Sequence, residues 1–225
     1  MCALKRIALY GGTFDPVHVG HLEIARRVSE LFELDKLLFI PAQMAPHKIG
    51  RPVTHPIHRY AMLALATQAD PRLAISTFEL DAPDRRYTVE TIEHFQRELG
   101  ESIELFFIMG ADSWAEIPTW REWERLLSMT NHIVVTRPGY EPSTTHVGEL
   151  SERIVDLRNS AVKRGRGFTR IYITDVVMND VSATHIRRLA SEGRTGELVN
   201  LLPGPVLEYI EKYGIYRELN EAKLN

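Results

Sequence analysis

Two histidines behind a glycine turn are the residues of this chain best placed to do chemistry. They are His18 and His21, at the end of the segment Gly11-Gly12-Thr13-Phe14-Asp15-Pro16-Val17-His18-Val19-Gly20-His21. A short apolar run precedes this segment and an amphipathic stretch follows it, so the order predicts strand, turn and helix. Such a turn presents backbone N–H groups and the positive end of a helix dipole to an anion. Because residues three apart share a helix face, both imidazoles would meet the same phosphate-sized ligand.

The glycine spacing excludes two common phosphate-binding motifs. The segment lacks the G-x-G-x-x-G spacing of dinucleotide-binding folds, and no Gly-Lys-Ser/Thr follows it as in a Walker loop. A glycine pair after a strand can also be a plain tight turn, and a lone histidine is more often structural. The paired histidines favour phosphate contact, and Gly20 would let a ligand approach the helix backbone closely.

A second candidate anion site begins at Ser182. This residue is placed as a helix N-cap whose hydroxyl can accept from a free N–H, and Thr184 and Arg187 share one face of the helix that follows. Hydroxyl, backbone N–H and guanidinium would together clamp an anion. The alternative is an ordinary capped helix with arginines facing solvent. His185 is interpreted as incidental.

Two further segments could hold the rest of a nucleotide. Gly110 and Asp112 follow a predicted buried strand, where a carboxylate commonly bonds ribose hydroxyls, although Asp112 could instead cap the next helix. Thr119 and Glu122 have the spacing of a capping box. Trp120 would then lie in the first helical turn, where its ring could stack on a planar ligand or pack into the core.

Length and composition limit the class of protein. The 225 residues are 44% hydrophobic and 25% charged, as in an ordinary soluble globular protein. The net charge of -3 predicts no binding to nucleic acid or to an anionic membrane, so a phosphate ligand needs a local site. The single cysteine, Cys2, excludes an internal disulfide and suits a cytoplasmic location. We expect neither a signal peptide nor a membrane-spanning segment.

Short β-branched runs alternate with helical periodicity along the chain. This alternation predicts an α/β fold with a doubly wound, Rossmann-like parallel sheet and helices on both faces. The predicted strands are Arg6–Tyr10, Lys36–Pro41, Leu73–Thr77, Ile103–Met109, His132–Thr136 and Arg170–Thr174. The predicted helices are Val19–Phe32, Pro56–Gln68, Val89–Leu99, Thr119–Leu127, Val147–Asn159, Ala183–Glu192 and Pro205–Tyr213. We expect a single domain over 1–225, with a small helical part from about 182 and a ligand site beyond the carboxyl ends of the strands.

With these motifs in view, the chain resembles the bacterial nicotinate-nucleotide adenylyltransferases of the nucleotidyltransferase superfamily. The resemblance runs from Ile7 to about Tyr216. Residues 11–21 match the family's first motif, and 182–187 match its Ser/Thr-x-x-Arg clamp. Residues 109–113 and 118–120 match further family segments. Arg85-Arg86-Tyr87-Thr88 stands where Ser-Tyr-Thr is usual, so Arg86 departs from the family pattern and adds positive charge beside an anion site.

The resemblance implies adenylyl transfer from ATP to nicotinate mononucleotide, which forms deamido-NAD and pyrophosphate in NAD biosynthesis. It implies that His18, His21 and Arg187 are catalytic and face the ATP phosphates. The residues implied for ATP binding are Gly11, Gly12, Thr13, Phe14, Gly110, Asp112, Arg137, Ser182 and Thr184. Those implied for the mononucleotide are Asp15, Lys48, Tyr87, Thr88 and Trp120, with Trp120 stacking on the pyridine ring. Mg²⁺ is expected with ATP as substrate, and the sequence shows no dedicated protein site for it.

The acceptor is less firmly specified than the reaction type. Pantetheine-phosphate adenylyltransferases and cytidylyltransferases share the two phosphate motifs, so phosphopantetheine is an alternative acceptor. A nucleotide-binding regulator without turnover is an alternative of a different class. The preference between the acid and the amide mononucleotide stays open at this point, as does the oligomeric state, for which a homo-oligomer is one option.

Overall fold

A parallel sheet of seven strands forms the centre of the protein. The computed structural model describes residues 4–43, 53–84, 86–136, 139–162, 168–176 and 181–217. Lys48, Arg137 and the basic stretch 163–166 therefore lie outside the described residues. The strands are β1 (Lys5–Gly12), β2 (Lys36–Pro41), β3 (Leu73–Ile75), β4 (Ile103–Gly110), β5 (Asn131–Val135), β6 (Ile154–Asp156) and β7 (Ile171–Thr174).

Helices connect these strands and cover both faces of the sheet. They are α1 (Val19–Leu31), α2 (Pro56–Thr67), α3 (Thr88–Leu99), α4 (Ala111–Ala115), α5 (Trp123–Met129), α6 (Ala183–Ser191) and α7 (Gly204–Tyr213). Short 3-10 segments span Ile117–Thr119, Thr145–Arg153 and Thr195–Leu198. The doubly wound fold expected from the strand–helix alternation is confirmed.

The core has two layers, one on each side of the sheet. Along β1, Ala8 and Tyr10 point into the layer under α1, α2, α6 and α7, whereas Ile7 and Leu9 point into the layer under α3 and α5. This alternation follows from the two-residue period of a strand. Because both faces are covered, the strands are almost continuously apolar, as the sequence of β4 shows.

The strand order places a crevice at the end of β1. The order across the sheet is β3-β2-β1-β4-β5-β7-β6, and every neighbouring pair is parallel. The chain leaves β1 toward β2 on one side and returns to pair with β4 on the other. In doubly wound sheets a ligand sits at this reversal, beyond the carboxyl ends of the strands. Gly12 and Gly110, the last residues of β1 and β4, mark that place.

The helix predicted over Val147–Asn159 is wrong. The structure has the 3-10 segment Thr145–Arg153 and then the short strand β6. Gly148 has a φ of 50°, which no α-helix accommodates, and it interrupts the segment. The β-branched pair Ile154 and Val155 then extends along β7 and adds an edge strand to the sheet.

The helix predicted over Thr119–Leu127 is wrong at its start. Residue Glu122 has a left-handed φ of 51°, and α5 begins only after it. The predicted capping box does not form, because the Thr119 hydroxyl instead donates to the carbonyl of Glu116 at 2.7 Å. Trp120 consequently lies between a 3-10 segment and α5 in an extended conformation, not in a first helical turn.

Candidate functional site

The two predicted phosphate motifs lie against each other. Nη1 of Arg187 donates to the main-chain carbonyl of Asp15 at 2.7 Å, although the two residues are 172 positions apart. A Cβ built on Gly20 would stand 3.6 Å from the Cβ of Val181, so the start of α1 packs on the segment that leads into α6. The fold therefore brings together the two helix starts that the sequence singled out.

The histidine pair is built into the start of α1. His18 is its N-cap and His21 is its third residue, and their rings stack with centroids 3.7 Å apart. The backbone N–H of His18 donates to Nδ1 of His21 at 3.3 Å. Since Nδ1 of His21 accepts this bond, its neutral ring carries the proton on Nε2 and can donate it to a ligand.

Burial keeps His18 uncharged. The residue is 6% exposed, and the loss of solvent lowers its pKa to about 4. Its Nδ1 is buried and has no hydrogen-bond partner within the part of the chain that the structure describes. The His18 ring lies opposite the backbone N–H of His21 in the capping box at the start of α1.

The glycines of the first motif make space for side chains. A Cβ on Gly12 would stand 2.7 Å from the ring of Phe14, and one on Gly11 would stand 3.0 Å from the ring of Phe107. Gly20 is buried, and a Cβ there would approach Nδ1 of His18 to 3.2 Å. The absent side chain of Gly20 accommodates the His18 ring, and close approach of a ligand to the helix backbone here stays a prediction.

Phe14 anchors the turn through its aromatic neighbours. Its φ is 49°, and its ring meets those of Tyr10, Phe39 and His21 at centroid distances of 5.4, 5.3 and 5.1 Å. The contact with His21 is edge-on, at an interplanar angle of 74°. Phe14, predicted to bind ATP, therefore also fixes the orientation of the His21 ring.

Asp15 ties three parts of the chain together. The residue is 4% exposed, and its Oδ1 accepts from the Tyr216 hydroxyl at 2.7 Å. Its Oδ2 accepts from the backbone N–H of Thr54 at 3.2 Å. Both carboxylate oxygens are thus bonded within the chain, and contact between Asp15 and a mononucleotide stays a prediction.

The second motif presents exposed donors beside Arg187. Nη2 of Arg187 bonds the Thr184 hydroxyl at 3.2 Å, as their spacing on one helix face predicts. Ser182 is the N-cap of α6, as predicted, but its hydroxyl makes no capping hydrogen bond, which corrects that detail. The Ser182 and Thr184 side chains are exposed at the mouth of the crevice.

The candidate acceptor side lies on the other face of the sheet. Trp120 and Tyr87 both pack on the core layer that contains Phe107, and Phe107 meets the Trp120 ring edge-on at 6.5 Å. Tyr87 is the N-cap of α3, its N–H donates to Glu90 at 3.1 Å, and Thr88 is the first residue of the helix. The guanidinium of Arg121 lies 4.8 Å from the Tyr87 ring centroid.

Gly110 and Asp112 stand at the end of β4. Gly110 is the N-cap of α4, so the alternative role of Asp112 as a cap is wrong. The Asp112 side chain is exposed in the first turn of that helix. A carboxylate there is free to reach toward the crevice, although contact with a ribose stays a prediction.

Arg59 is a site residue that the sequence analysis missed. Its side chain is fully buried, and its guanidinium donates to the carbonyls of Thr54, Thr13 and Gln43 at 2.9, 2.8 and 3.1 Å. Arg59 thus joins α2 to the first motif. Its position on the buried face of a predicted helix is the signal that could have revealed it, because a buried cation requires partners.

A separate cleft lies at the amino ends of the strands. It has a volume of about 480 Å³, and residues such as Leu99, Ile103, Asn131 and Arg170 line it. No residue of the predicted site contributes to this lining. Within the described ranges, no cluster of three or more His, Cys, Asp or Glu side chains could hold a metal ion. No helix in those ranges is long and apolar enough to cross a membrane.

Known proteins resemble this chain over most of its length. The cytidylyltransferase-like family matches residues 9–189. A probable nicotinate-nucleotide adenylyltransferase of Thermoanaerobacter sp. is 40% identical over 216 residues, with 96% of each chain covered. One of Thermus thermophilus is 39% identical over 212 residues, which cover 94% of this chain and 100% of the relative.

Solved structures share the fold at low sequence identity. The nicotinic acid mononucleotide adenylyltransferase of Plasmodium falciparum complexed with NaAD has a TM-score of 0.71 at 18% identity. The match covers 94% of this chain and 97% of that one. The same protein complexed with APC has a TM-score of 0.70. At this identity the likeness concerns the fold alone.

Proposed function

Because the chain belongs to the nicotinate-nucleotide adenylyltransferases of the cytidylyltransferase-like family, we propose that its crevice transfers the adenylyl group of ATP to nicotinate mononucleotide. The products are deamido-NAD and pyrophosphate. The observation that carries the proposal is the hydrogen bond from Arg187 to the Asp15 carbonyl, which joins the two phosphate motifs at the carboxyl ends of the strands.

The reaction needs no general base. An oxygen of the acceptor phosphate attacks the α-phosphorus of ATP in line, and the bond from that phosphorus to the bridging oxygen breaks as pyrophosphate leaves. The attacking phosphate is already an anion at neutral pH, so no proton has to be removed. The protein contributes positioning and stabilisation of the charge on the transferring group.

Neutral and charged donors share that stabilisation. Nε2–H of His21 donates to an α-phosphate oxygen, while the Arg187 guanidinium compensates charge on the phosphates from the opposite side. The fixed tautomer of His21 and the bond that holds Arg187 support these roles. His18, uncharged because it is buried, offers a second imidazole for hydrogen bonding.

Aromatic and charged side chains on the other face of the sheet bind the acceptor, nicotinate mononucleotide. Trp120 stacks on the pyridine ring, and the region of Tyr87 and Thr88 binds the ring carboxylate. The exposed Arg86 gives this region positive charge, which favours the acid over the amide mononucleotide, whereas Arg121 beside Tyr87 is paired with Glu90 and Glu122. Asp112 binds the ribose of ATP from the end of β4.

Mg²⁺ enters as part of the ATP substrate. The ATP phosphates would supply most of its ligands, with few from the protein. We also propose a cytoplasmic reaction with no nucleic-acid or membrane partner. The net charge of -3 and the single cysteine support this placement.

A product assay tests the proposed function. The protein is incubated with MgATP and one acceptor at a time: nicotinate mononucleotide, its amide or phosphopantetheine. We expect deamido-NAD and pyrophosphate in equal amounts, with turnover on the amide lower by a factor of ten or more, on the order of one lost charge-assisted contact. Dephospho-CoA as the main product would identify the other acceptor, and release of no pyrophosphate with any acceptor would indicate a regulator.

A further inference from the structure

The segment after α7 returns to the phosphate motifs. Gly214 ends α7 in a left-handed conformation with a φ of 62°, and Ile215 is buried in the core. Tyr216 then places its hydroxyl 2.7 Å from Oδ1 of Asp15, across 201 positions of sequence. The proposed reaction has no step for a tyrosine, so we look for the role of Tyr216 in its contact with Asp15.

We propose that Tyr216 is a positioning residue for Arg187 and acts through Asp15. This inference rests on the proposed function, because Arg187 matters only if it binds the phosphates of ATP. Tyr216 itself touches no reacting atom. Tyr216 holds Asp15, and the main-chain carbonyl of Asp15 holds the Arg187 guanidinium.

The side chain and main chain of Asp15 transmit the effect. The buried carboxylate is held on one oxygen by Tyr216 and on the other by the N–H of Thr54. The carbonyl of the same residue accepts from Nη1 of Arg187 at 2.7 Å. The two bonds on its carboxylate restrain Asp15, whose carbonyl is one of the two groups, with the Thr184 hydroxyl, that orient Arg187.

Tyr216 stays a hydrogen-bond donor at every working pH. Its burial and the adjacent Asp15 carboxylate raise its pKa well above the ordinary value. Its backbone has a φ of 72°, a conformation that bulky residues rarely adopt and keep only where their surroundings enforce it. The bond to Asp15 and the buried Ile215 provide such surroundings.

Two tyrosine-to-phenylalanine variants isolate the contact. Tyr216→Phe removes the hydroxyl that bonds Asp15. Tyr209→Phe is the matched control, because that hydroxyl lies 2.8 Å from Nδ1 of His58 and touches no residue of the predicted site. We expect kcat of Tyr216→Phe to fall about tenfold, since small misplacements of catalytic groups cost up to a hundredfold. KM for the mononucleotide should change less than about twofold, and the control should keep kcat within about twofold, when both are assayed where they are fully folded.

A double-mutant cycle with Arg187→Ala distinguishes positioning from general loosening of the fold. If Tyr216 acts through Arg187, Tyr216→Phe has no further effect on kcat once Arg187 is replaced. The same fractional loss in both backgrounds, or an unchanged kcat in the single variant, would overturn the inference. If Tyr216→Phe does not fold, Asp15→Asn takes its place in the cycle, with kcat measured at saturating mononucleotide so that any contact between Asp15 and that substrate affects KM instead.

The wild-type enzyme separates this inference from the proposed function. A wild-type protein that forms no deamido-NAD refutes the function, whatever the variants do. A wild-type protein that forms deamido-NAD, beside a Tyr216→Phe variant with the kinetics of Tyr209→Phe, leaves the function standing and refutes the role of Tyr216.

Discussion

The two histidines at the start of α1 are held in different ways. His18 loses its charge because it is buried, which lowers its pKa to about 4. His21 has its Nδ1 occupied by a backbone N–H, which sets the tautomer that donates from Nε2. A neutral donor suits a reaction that transfers no proton, since it stabilises developing charge and remains chemically unchanged.

Replacement of His21 tests this role directly. In His21→Ala, kcat should fall by about 10²–10³-fold, as when one donor to a transition state is lost. The free energy of unfolding should fall by only about 0.5–2 kcal/mol, because the loss is that of one capping hydrogen bond at the start of α1. Steady-state kinetics and thermal unfolding measure the two effects.

His185→Ala is the control for that variant. This histidine is exposed on α6 and has no proposed contact with substrate. Its replacement should leave kcat within about twofold of the wild type. Such a change is far smaller than the loss of about 10²–10³-fold in kcat that follows the loss of a transition-state donor. A His21→Ala enzyme that works equally well would exclude His21 from the phosphate site.

The packing of α1 against the segment that leads into α6 depends on Gly20. Gly20 lies between the His18 ring and Val181, and its missing side chain allows the close approach of the two segments. Gly11 and Gly12 likewise accommodate the rings of Phe107 and Phe14. The glycines of the first motif thus serve the packing that holds the histidines as well as any contact with a ligand.

The variant Gly20→Ala should separate activity from stability. Its Cβ would stand 3.2 Å from Nδ1 of His18 and would displace that ring by a few tenths of an ångström. We expect kcat to fall about tenfold or more. The free energy of unfolding should change by less than about 1 kcal/mol, because alanine favours the helix and offsets part of the strain. Kinetics and denaturant unfolding measure both.

Gly204→Ala provides the matched control at the start of another helix. A Cβ at Gly204 would meet no atom within 4 Å apart from its chain neighbours, although Pro205 follows it and disfavours a helical residue with a side chain at this place. This variant should be fully active, with a free energy of unfolding within about 1 kcal/mol of the wild type. If Gly20→Ala behaved in the same way, the packing of His18 on Gly20 would have no bearing on catalysis.

Local signals predicted the elements better than the contacts between them. The start of α1 after its glycine turn and the whole of β2 follow from neighbouring residues, and they were predicted correctly. Where a glycine or a left-handed residue interrupts a periodic pattern, as at Gly148 and Glu122, the helix predictions failed. Such backbone conformations leave no clear mark on hydrophobic spacing.

The missed residues at the site act over long distances in sequence. Tyr216 bonds a residue 201 positions away, and Arg59 reaches three separate loop carbonyls. Neither belongs to a local motif, so only the folded chain reveals them. The sequence did identify the two ends of the crevice, because both begin helices with recognisable residue types.

The fold of the whole molecule brings segments that are distant in sequence together at one crevice. The reversal of strand order at β1 and β4 brings the ends of these strands to one edge of the sheet. The chain then adds α6 and α7 on the face that already carries α1 and α2. Residues 15 and 187 meet as a consequence, and the phosphates of one ligand can contact both motifs.

Two buried histidines make the stability of the whole protein depend on pH. Burial lowers the pKa of both His18 and His132 to about 4 in the folded state. Below about pH 6.5 the unfolded chain binds a proton at each position, whereas the folded chain does not until about pH 4. The free energy of unfolding should therefore fall as the pH is lowered through this window.

Replacing His132 measures its share of that slope. His132→Asn retains a group that can bond the Thr130 carbonyl, which Nδ1 of His132 contacts at 3.0 Å, but it does not titrate. The slope of unfolding free energy between pH 6 and 4.5, on the order of 1.4 kcal/mol per pH unit for each histidine, should lose one such contribution. His185→Asn, at an exposed position, should leave the slope unchanged. Equal slopes in all three proteins would contradict the account.

A crystal structure with MgATP or a non-hydrolysable analogue would show whether the starts of α1 and α6 bind one triphosphate between them. We expect the α-phosphate within hydrogen-bonding distance of Nε2 of His21, and the Arg187 guanidinium on the same phosphate chain, at about 2.7–3.2 Å. A nucleotide bound in the cleft at the amino ends of the strands, with both residues untouched, would contradict the account.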